Sequence, residues 1–227
     1  MEPQQPIASA ADPARTAPPA GPSSPRRRGR RRLAEGPALD RARLAQVLVA
    51  IARAEGLGAI SMRRVAADLG VSSRLLYHHV RDKDEMLDIL SDAITARNMP
   101  DLSGADWETR LRNVVAAARG AFADFPGVPA SILGHVARPV SQPHALMVRN
   151  GVLRALADAG LSPEHVEISY VQFAVMLLGS LVMFETLDRS QGPLAIDRAR
   201  LERSVDLGFD LLIFGIRRLI PGDFRPA

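Results

Sequence analysis

The sequence predicts an all-α chain. Apolar residues recur at helical spacing along most of residues 40–219, helix start and stop residues flank those stretches, and none shows the two-residue alternation of a strand. No internal repeat is visible. The apolar content of 47% can fill a core, but aromatics are only 4%, so that core must be built from Leu, Val, Ile, Ala and Met.

Residues 1–37 are rich in Pro, Ala and Arg and have little to bury, so they read as a disordered basic tail. Arg15, Arg26, Arg27, Arg28, Arg30, Arg31 and Arg32 outnumber Glu2, Asp12 and Glu35 by four, which equals the net charge of the whole chain. The remainder is therefore near neutral, and any positive surface on it must be local. The Arg26–Arg32 cluster fits either a solvated segment or an arm laid on phosphates or in a minor groove.

Asp40 is the expected N-cap of the first helix, in which Leu44, Val47, Leu48 and Ile51 share a face and Gly56 is the stop. Ser61 can cap the second, with Ile60 and Val65 as a hydrophobic staple and Val65, Ala66 and Leu69 on one face. Gly70 permits the left-handed residue that ends a helix. Ser72 repeats the start signal and Val71 with Leu76 repeats the staple. Leu76 and Val80 bury one side of this third helix, leaving Ser73, Arg74, Tyr77 and His78 on or near its outer side. Asp82 and Glu85 form an Asp-x-x-Glu variant of the capping box, opening a helix that runs to about Asn98. The lengths and spacing of the middle two helices are those of a helix-turn-helix, whose second helix fits the major groove of DNA.

Residues 40–90 resemble the tetracycline-repressor (TetR) family of bacterial transcription regulators. The resemblance rests on Arg63-Arg64-Val65-Ala66, Leu69-Gly70-Val71-Ser72, Leu76-Tyr77-His78-His79-Val80 and Asp82-Lys83-Asp84-Glu85-Met86-Leu87. It implies an N-terminal helix-turn-helix DNA-binding domain (38–98) followed by a larger helical domain (99–227) for effector binding and dimerisation. It also implies a homodimer on a palindromic double-stranded operator, released by a small-molecule effector. The choice of repressor over activator rests on the resemblance alone. Matched position by position, the DNA-binding candidates are Ser61, Arg63, Ser72, Ser73, Arg74, Leu75, Tyr77, His78, His79 and Lys83. Ser61 and Arg63 would meet phosphate at the start of the positioning helix, and Arg63 can also reach a guanine edge. Arg74 is the expected base reader, because a guanidinium pairs bidentately with guanine. Leu75 stands where the family often has Thr. Tyr77, His79 and Lys83 match phosphate-contacting positions, and Lys83 also lies at a helix start. Tyr77 read alone serves equally well as a packing residue.

Beyond Pro100 and Gly104 the pattern stays helical. Helices are expected over Ala105–Phe125, Val128–Val136, Pro143–Ala159, Ser162–Leu187 and Asp197–Leu219, with Pro126, Gly160, Gly192-Pro193 and Pro221-Gly222 as breaks. The fourth of these is apolar nearly all round and should be buried on most sides. Gly179, Ser180, Gly208 and Gly215 would let the last two helices approach copies of themselves or each other closely. His135, His144, Asn150 and Gln172 are polar groups in apolar helices, and Met147, Phe173, Met176 and Met183 are adaptable apolar lining. All but Met183 form the effector-binding candidate set.

Other function classes find little support. The chain has no Cys, hence no disulfide, thiolate metal site or Cys nucleophile, which fits a reducing cytoplasm. His78 and His79 are adjacent and cannot share a helical face, so no metal site is expected. Gly56-Leu57-Gly58 follows a helix, which disqualifies it as a dinucleotide loop. No catalytic residue or cofactor is expected. The rival readings are a helical enzyme and a helical adaptor that has lost DNA binding. The N-terminus lacks the apolar core of a secretory signal. The longest strongly apolar run, Phe173 to Phe184, falls short of the roughly 20 residues that cross a bilayer. The expectation is a cytoplasmic protein without a membrane partner.

Overall fold

The computed structural model describes residues 39–104, 106–135, 141–189 and 197–220. The basic tail with its arginine cluster, Ala105 and Val136 lie outside these residues. Among those described, nine α-helices and one turn of 3-10 helix (Leu57–Ala59) are present and no strand is. The helices are α1 Arg41–Glu55, α2 Met62–Leu69, α3 Ser73–Tyr77, α4 Lys83–Arg97, α5 Trp107–Phe122, α6 Val128–Gly134, α7 Pro143–Asp158, α8 Pro163–Arg189 and α9 Arg198–Leu219.

The first four follow the expected start and stop signals, except that α3 ends at Tyr77 and the buried Val80 lies beyond it. Asp40 caps α1 by accepting from the Arg43 N–H at 2.6 Å, and Gly56 follows its last residue. Ser61 caps α2 through the Arg64 N–H at 3.2 Å. At the other end Gly70 takes φ 70° and ψ 27°, and the Val71 and Gly70 N–H groups close onto Ala66 and Ala67 carbonyls at 3.0 Å. That satisfies carbonyls the helix end would leave bare, and it sets the angle between α2 and α3. Ser72 caps α3 through the Leu75 N–H at 3.1 Å. Leu44, Leu48, Val65, Leu76, Val80 and Leu90 are buried together beneath the turn. Each contributes about 1.5–3 kcal/mol of burial.

The start of α4 differs in detail from a regular capping box. Asp82 accepts from the Glu85 N–H at 2.8 Å as expected, but the Glu85 carboxylate accepts from the N–H of Arg81, one residue earlier, at 2.9 Å. It also pairs with the Arg81 guanidinium at 3.1 Å.

Two helices of the second half are shorter than their sequence pattern. The α5 helix starts at Trp107, after its N-cap Asp106, and stops at Phe122, three residues before the buried Phe125. The α6 helix ends at Gly134, with His135 as its C-cap. Ion pairs fasten α5 to α9 (Arg112–Asp210 at 2.7 Å, Arg119–Asp206 at 2.8 Å) and α5 to α7 (Arg110–Asp158 at 2.8 Å).

One junction positions α7 on α4. The N-cap of α7, Gln142, supplies no side-chain cap. The carboxylate of Asp92 on α4, 7% exposed, accepts instead from the N–H groups of His144 and Ala145 at 2.9 and 3.0 Å. His144 Nδ1 lies 2.9 Å from its second oxygen. Arg41 of α1 donates to Gln142 Oε1 in a short contact, adding a second tie.

The longest helix corrects two expectations. Pro163–Leu187 of α8 has a mean hydropathy of 1.7 and is, by length and composition, long and apolar enough to cross a membrane. The run Phe173–Phe184 understated it because isolated polar residues do not interrupt a helix. Nor is α8 buried on most sides. It packs on α5, α6, α7 and α9, but Ile168, Val171, Val175 and Met183 are exposed. The α9 helix likewise exposes Leu207, Leu211 and Phe214 at 55–61%. Gly208 serves packing within the chain: a Cβ there would sit 2.6 Å from Met176 Cε.

Two outcomes follow. Asp92→Ala should cost about 1–3 kcal/mol in urea unfolding, since it strands buried donors at the α7 N-terminus; an unchanged midpoint at unchanged slope contradicts the junction's role. The hydrogen bond from the Arg81 backbone, foremost, holds the Glu85 carboxyl below its ordinary 4.5. Its contribution is therefore full above pH 4.5 and is lost as pH falls below that through the folded value. Glu85→Gln should be less stable than the parent at pH 7 and converge on it in acid, and a pH-independent difference contradicts this.

Candidate nucleic-acid interface and internal cavity

All ten residues predicted for DNA contact are exposed, on α2, α3, their caps, the turn after α3 and the first position of α4. Their backbone is fixed by the caps just described. Ser61 and Ser72 each spend an oxygen lone pair on a helix N-terminus but keep the hydroxyl hydrogen to donate. Arg63 and Arg74 have no carboxylate within ion-pair distance among the described residues, so their charge faces outward uncompensated. Arg64 differs: it is held by Glu55 at 2.6 Å and by Asp68 at 3.0 Å. Two adjacent arginines thus have separate jobs, one structural and one at the surface. Leu75 and Tyr77 are 41% and 57% exposed. Lys83 is exposed at the first position of α4, and its Nζ donates to the Leu57 carbonyl at 3.3 Å. That bond ties the α4 start to the 3-10 turn.

A cavity of about 200 Å³ lies among α4, α5, α6, α7 and α8. Its wall is mostly apolar and includes Val114, Ala118, Phe122, Val152, Phe173 and Leu177. The polar part comes from Ser91, Thr95 and Asn98 of α4, Arg149 of α7 and Tyr170 of α8. Arg149 lies over the Tyr170 ring at 5.4 Å. Burial, foremost, raises the Tyr170 phenol above its ordinary 10.0, so the hydroxyl stays protonated at neutral pH.

Of the seven residues expected to bind an effector, the cavity wall contains Phe173 alone, which also meets Phe209 of α9 edge-on at 5.9 Å. The other six lie elsewhere, for stated reasons. His144 is engaged by Asp92 at the helix junction. His135 closes α6, with Nε2 3.6 Å from the Asp84 carboxylate of α4. Met176 fills the space over Gly208, and Met147, Asn150 and Gln172 face out. Met183 is exposed as well. The signal that locates the polar wall of this cavity is modest: Ser91, Thr95 and Asn98 recur at i, i+4 and i+7 on a helix whose other face is apolar. Arg149 and Tyr170 carry no such pattern.

Comparison with known proteins agrees with this geometry. Residues 48–90 match the family described as bacterial regulatory proteins, tetR family. The chain is 36% identical over 128 residues to the HTH-type transcriptional repressor DrrR1 of Streptomyces coeruleorubidus, covering 56% of this chain and 46% of that one. It thus spans less than half the length of that relative. The crystal structure of SCO7704 from Streptomyces coelicor superposes with a TM-score of 0.62 at 29% identity, covering 85% of this chain and all of that one. BioQ of Mycobacterium smegmatis shares the fold, with a TM-score of 0.67 at 22% identity over 78% of this chain and 98% of its own. The helix-turn-helix of this chain is thus the part that matches the tetR family of bacterial regulatory proteins.

Proposed function

We propose that this protein is a ligand-responsive transcriptional repressor, not an enzyme, that works as a homodimer on double-stranded DNA in the cytoplasm. We assign DNA binding to residues 38–98 and effector binding and dimerisation to residues 99–227. The observation that carries the reading is the Ser72-capped start of α3. It presents Ser73, Arg74 and Tyr77 outward from a turn locked by Gly70, with Arg74 free of any carboxylate among the described residues. In this reading Arg74 contacts base edges, while Ser61, Arg63, Tyr77, His79 and Lys83 meet phosphates. The repressor named DrrR1 supports the sign of regulation.

The exposed apolar stripes of α8 and α9 support the dimer. Ile168, Val171 and Val175 follow helical spacing on one, as do Leu207, Leu211 and Phe214 on the other. Two copies joined through these stripes would form a four-helix bundle and present two α3 helices about one DNA turn apart. The cavity supports control by a ligand. Its α4 wall belongs to the helix that begins with Lys83, so a ligand favouring one α4 position over another shifts the balance of DNA-competent states.

Fluorescence anisotropy on duplexes from the flanks of the protein's own gene tests the DNA assignment. Arg74→Ala should narrow the gap between bound and random sequence by about 1–3 kcal/mol, while Lys83→Ala should weaken every duplex and lower the salt slope by about one. Preference unchanged by Arg74→Ala removes the base-reading role. Light scattering tests the bundle: the parent should have twice the chain mass, and a double variant, Leu211→Asp with Phe214→Asp, should be monomeric. A monomeric parent contradicts the dimer.

A further inference from the structure

Resting on the effector reading above, we propose that the cavity takes an amphiphilic organic acid: an apolar body with one anionic group seated against Arg149 and Tyr170. Charge is the first argument. Arg149 is the one charged side chain among the described residues that line the cavity, and the wall includes no Asp or Glu. A cationic ligand would enter an apolar space beside a fixed positive charge with nothing to neutralise it. Glu167, one turn before Tyr170 on α8, is exposed and lies outside the wall.

Unused hydrogen-bonding capacity is the second argument. The Arg149 guanidinium has five N–H donors. It is half-buried, with no carboxylate at ion-pair distance among the described residues. Its neighbour is Tyr170, with the guanidinium carbon 5.4 Å from the ring centroid. The Tyr170 O–H donates to no other group among the described residues, so its hydrogen is available to a ligand. A carboxylate or enolate placed there meets a guanidinium edge and a phenol donor together, which are charge-assisted bonds and stronger than neutral ones. The α4 wall has the opposite bias. Ser91, Thr95 and Asn98 spend donors on the carbonyls of Asp88, Ser91 and Ile94 at 2.9, 2.9 and 3.2 Å. Ser91 and Thr95 have thereby spent their only donors and offer the cavity oxygen acceptors, suited to a ligand hydroxyl, while Asn98 keeps one amide N–H. The remaining wall, from Val114 to Leu177, is apolar and accounts for the ligand's body.

The test uses the full-length protein and one skeleton in three charge states: 1-naphthaleneacetate, 1-naphthaleneacetamide and 2-(1-naphthyl)ethylamine, with decanoate and decylamine as a flexible pair. Calorimetric titration should show each acid binding at least tenfold more tightly than its neutral or cationic counterpart. Arg149→Met, which keeps an unbranched stem, should remove that preference and leave amide affinity within twofold, and Arg149→Lys should restore part of it. Equal or tighter binding of the amines, an acid preference intact in Arg149→Met, or no binding by either acid at millimolar concentration overturns the inference. Anisotropy on bound DNA, run with the same compounds, separates it from the reading beneath it. Release by an amine or amide leaves ligand control standing and removes the acid. An acid that binds at Arg149 without altering DNA affinity keeps the site and removes the control.

Discussion

The carboxylate of Asp92 sits where three demands meet. It is a charge on the inward face of α4, buried among apolar residues, and such a charge is tolerable only with several donors around it. The N-terminus of α7 supplies them, because its first N–H groups have no partner within the helix and Gln142 provides no side-chain cap. Each need satisfies the other, and the result fixes α7 on α4 at one point. Arg41, from the other side of the helix-turn-helix, holds Gln142 and closes the junction onto α1.

Much of the architecture depends on that fixed point. The α4 helix is 15 residues long, about 22 Å at 1.5 Å per residue. Its first residue, Lys83, bonds the Leu57 carbonyl in the turn before α2, and Ser91, Thr95 and Asn98 line the cavity. Leu57 itself packs against Gly127, whose N–H donates to Glu185 of α8 at 2.8 Å. At the other end of α6, His135 approaches Asp84 in the first turn of α4. The cavity and the outward surface of α3 are therefore built on shared, continuous elements. In the proposed control by a ligand, α4 is the element through which the two would communicate.

The local part of this account was legible in the residues. Asp40, Ser61, Ser72 and Asp82 announce helix starts, and Gly56 and Gly70 announce stops, because capping depends on neighbours within three or four positions. The exposed face of α3 followed from Leu76, its one buried residue. What failed to show was whatever depends on a distant partner. His144 looked like a ligand contact because its partner, Asp92, is 52 residues away. The Arg64–Asp68 pair is legible as i, i+4, but the Arg64–Glu55 pair, which joins α2 to α1, is not. The apolar composition of α8 suggested burial on most sides, but composition does not say which chain supplies the cover, and within this chain one stripe of it is left bare. The polar wall of the cavity was half visible, as the i, i+4, i+7 stripe of α4, and half hidden, since Arg149 and Tyr170 meet only through the packing of α7 on α8.

The central claim is that the surface between Ser61 and Lys83, presented in duplicate, selects duplex DNA by sequence. Repeated capture and amplification of bound duplexes from a random pool, with the purified full-length protein, measures that directly. The account predicts enrichment of an inverted repeat whose half-sites are centred about one helical turn apart. A pool that stays random after several rounds, with circular dichroism showing the helices intact, would contradict it.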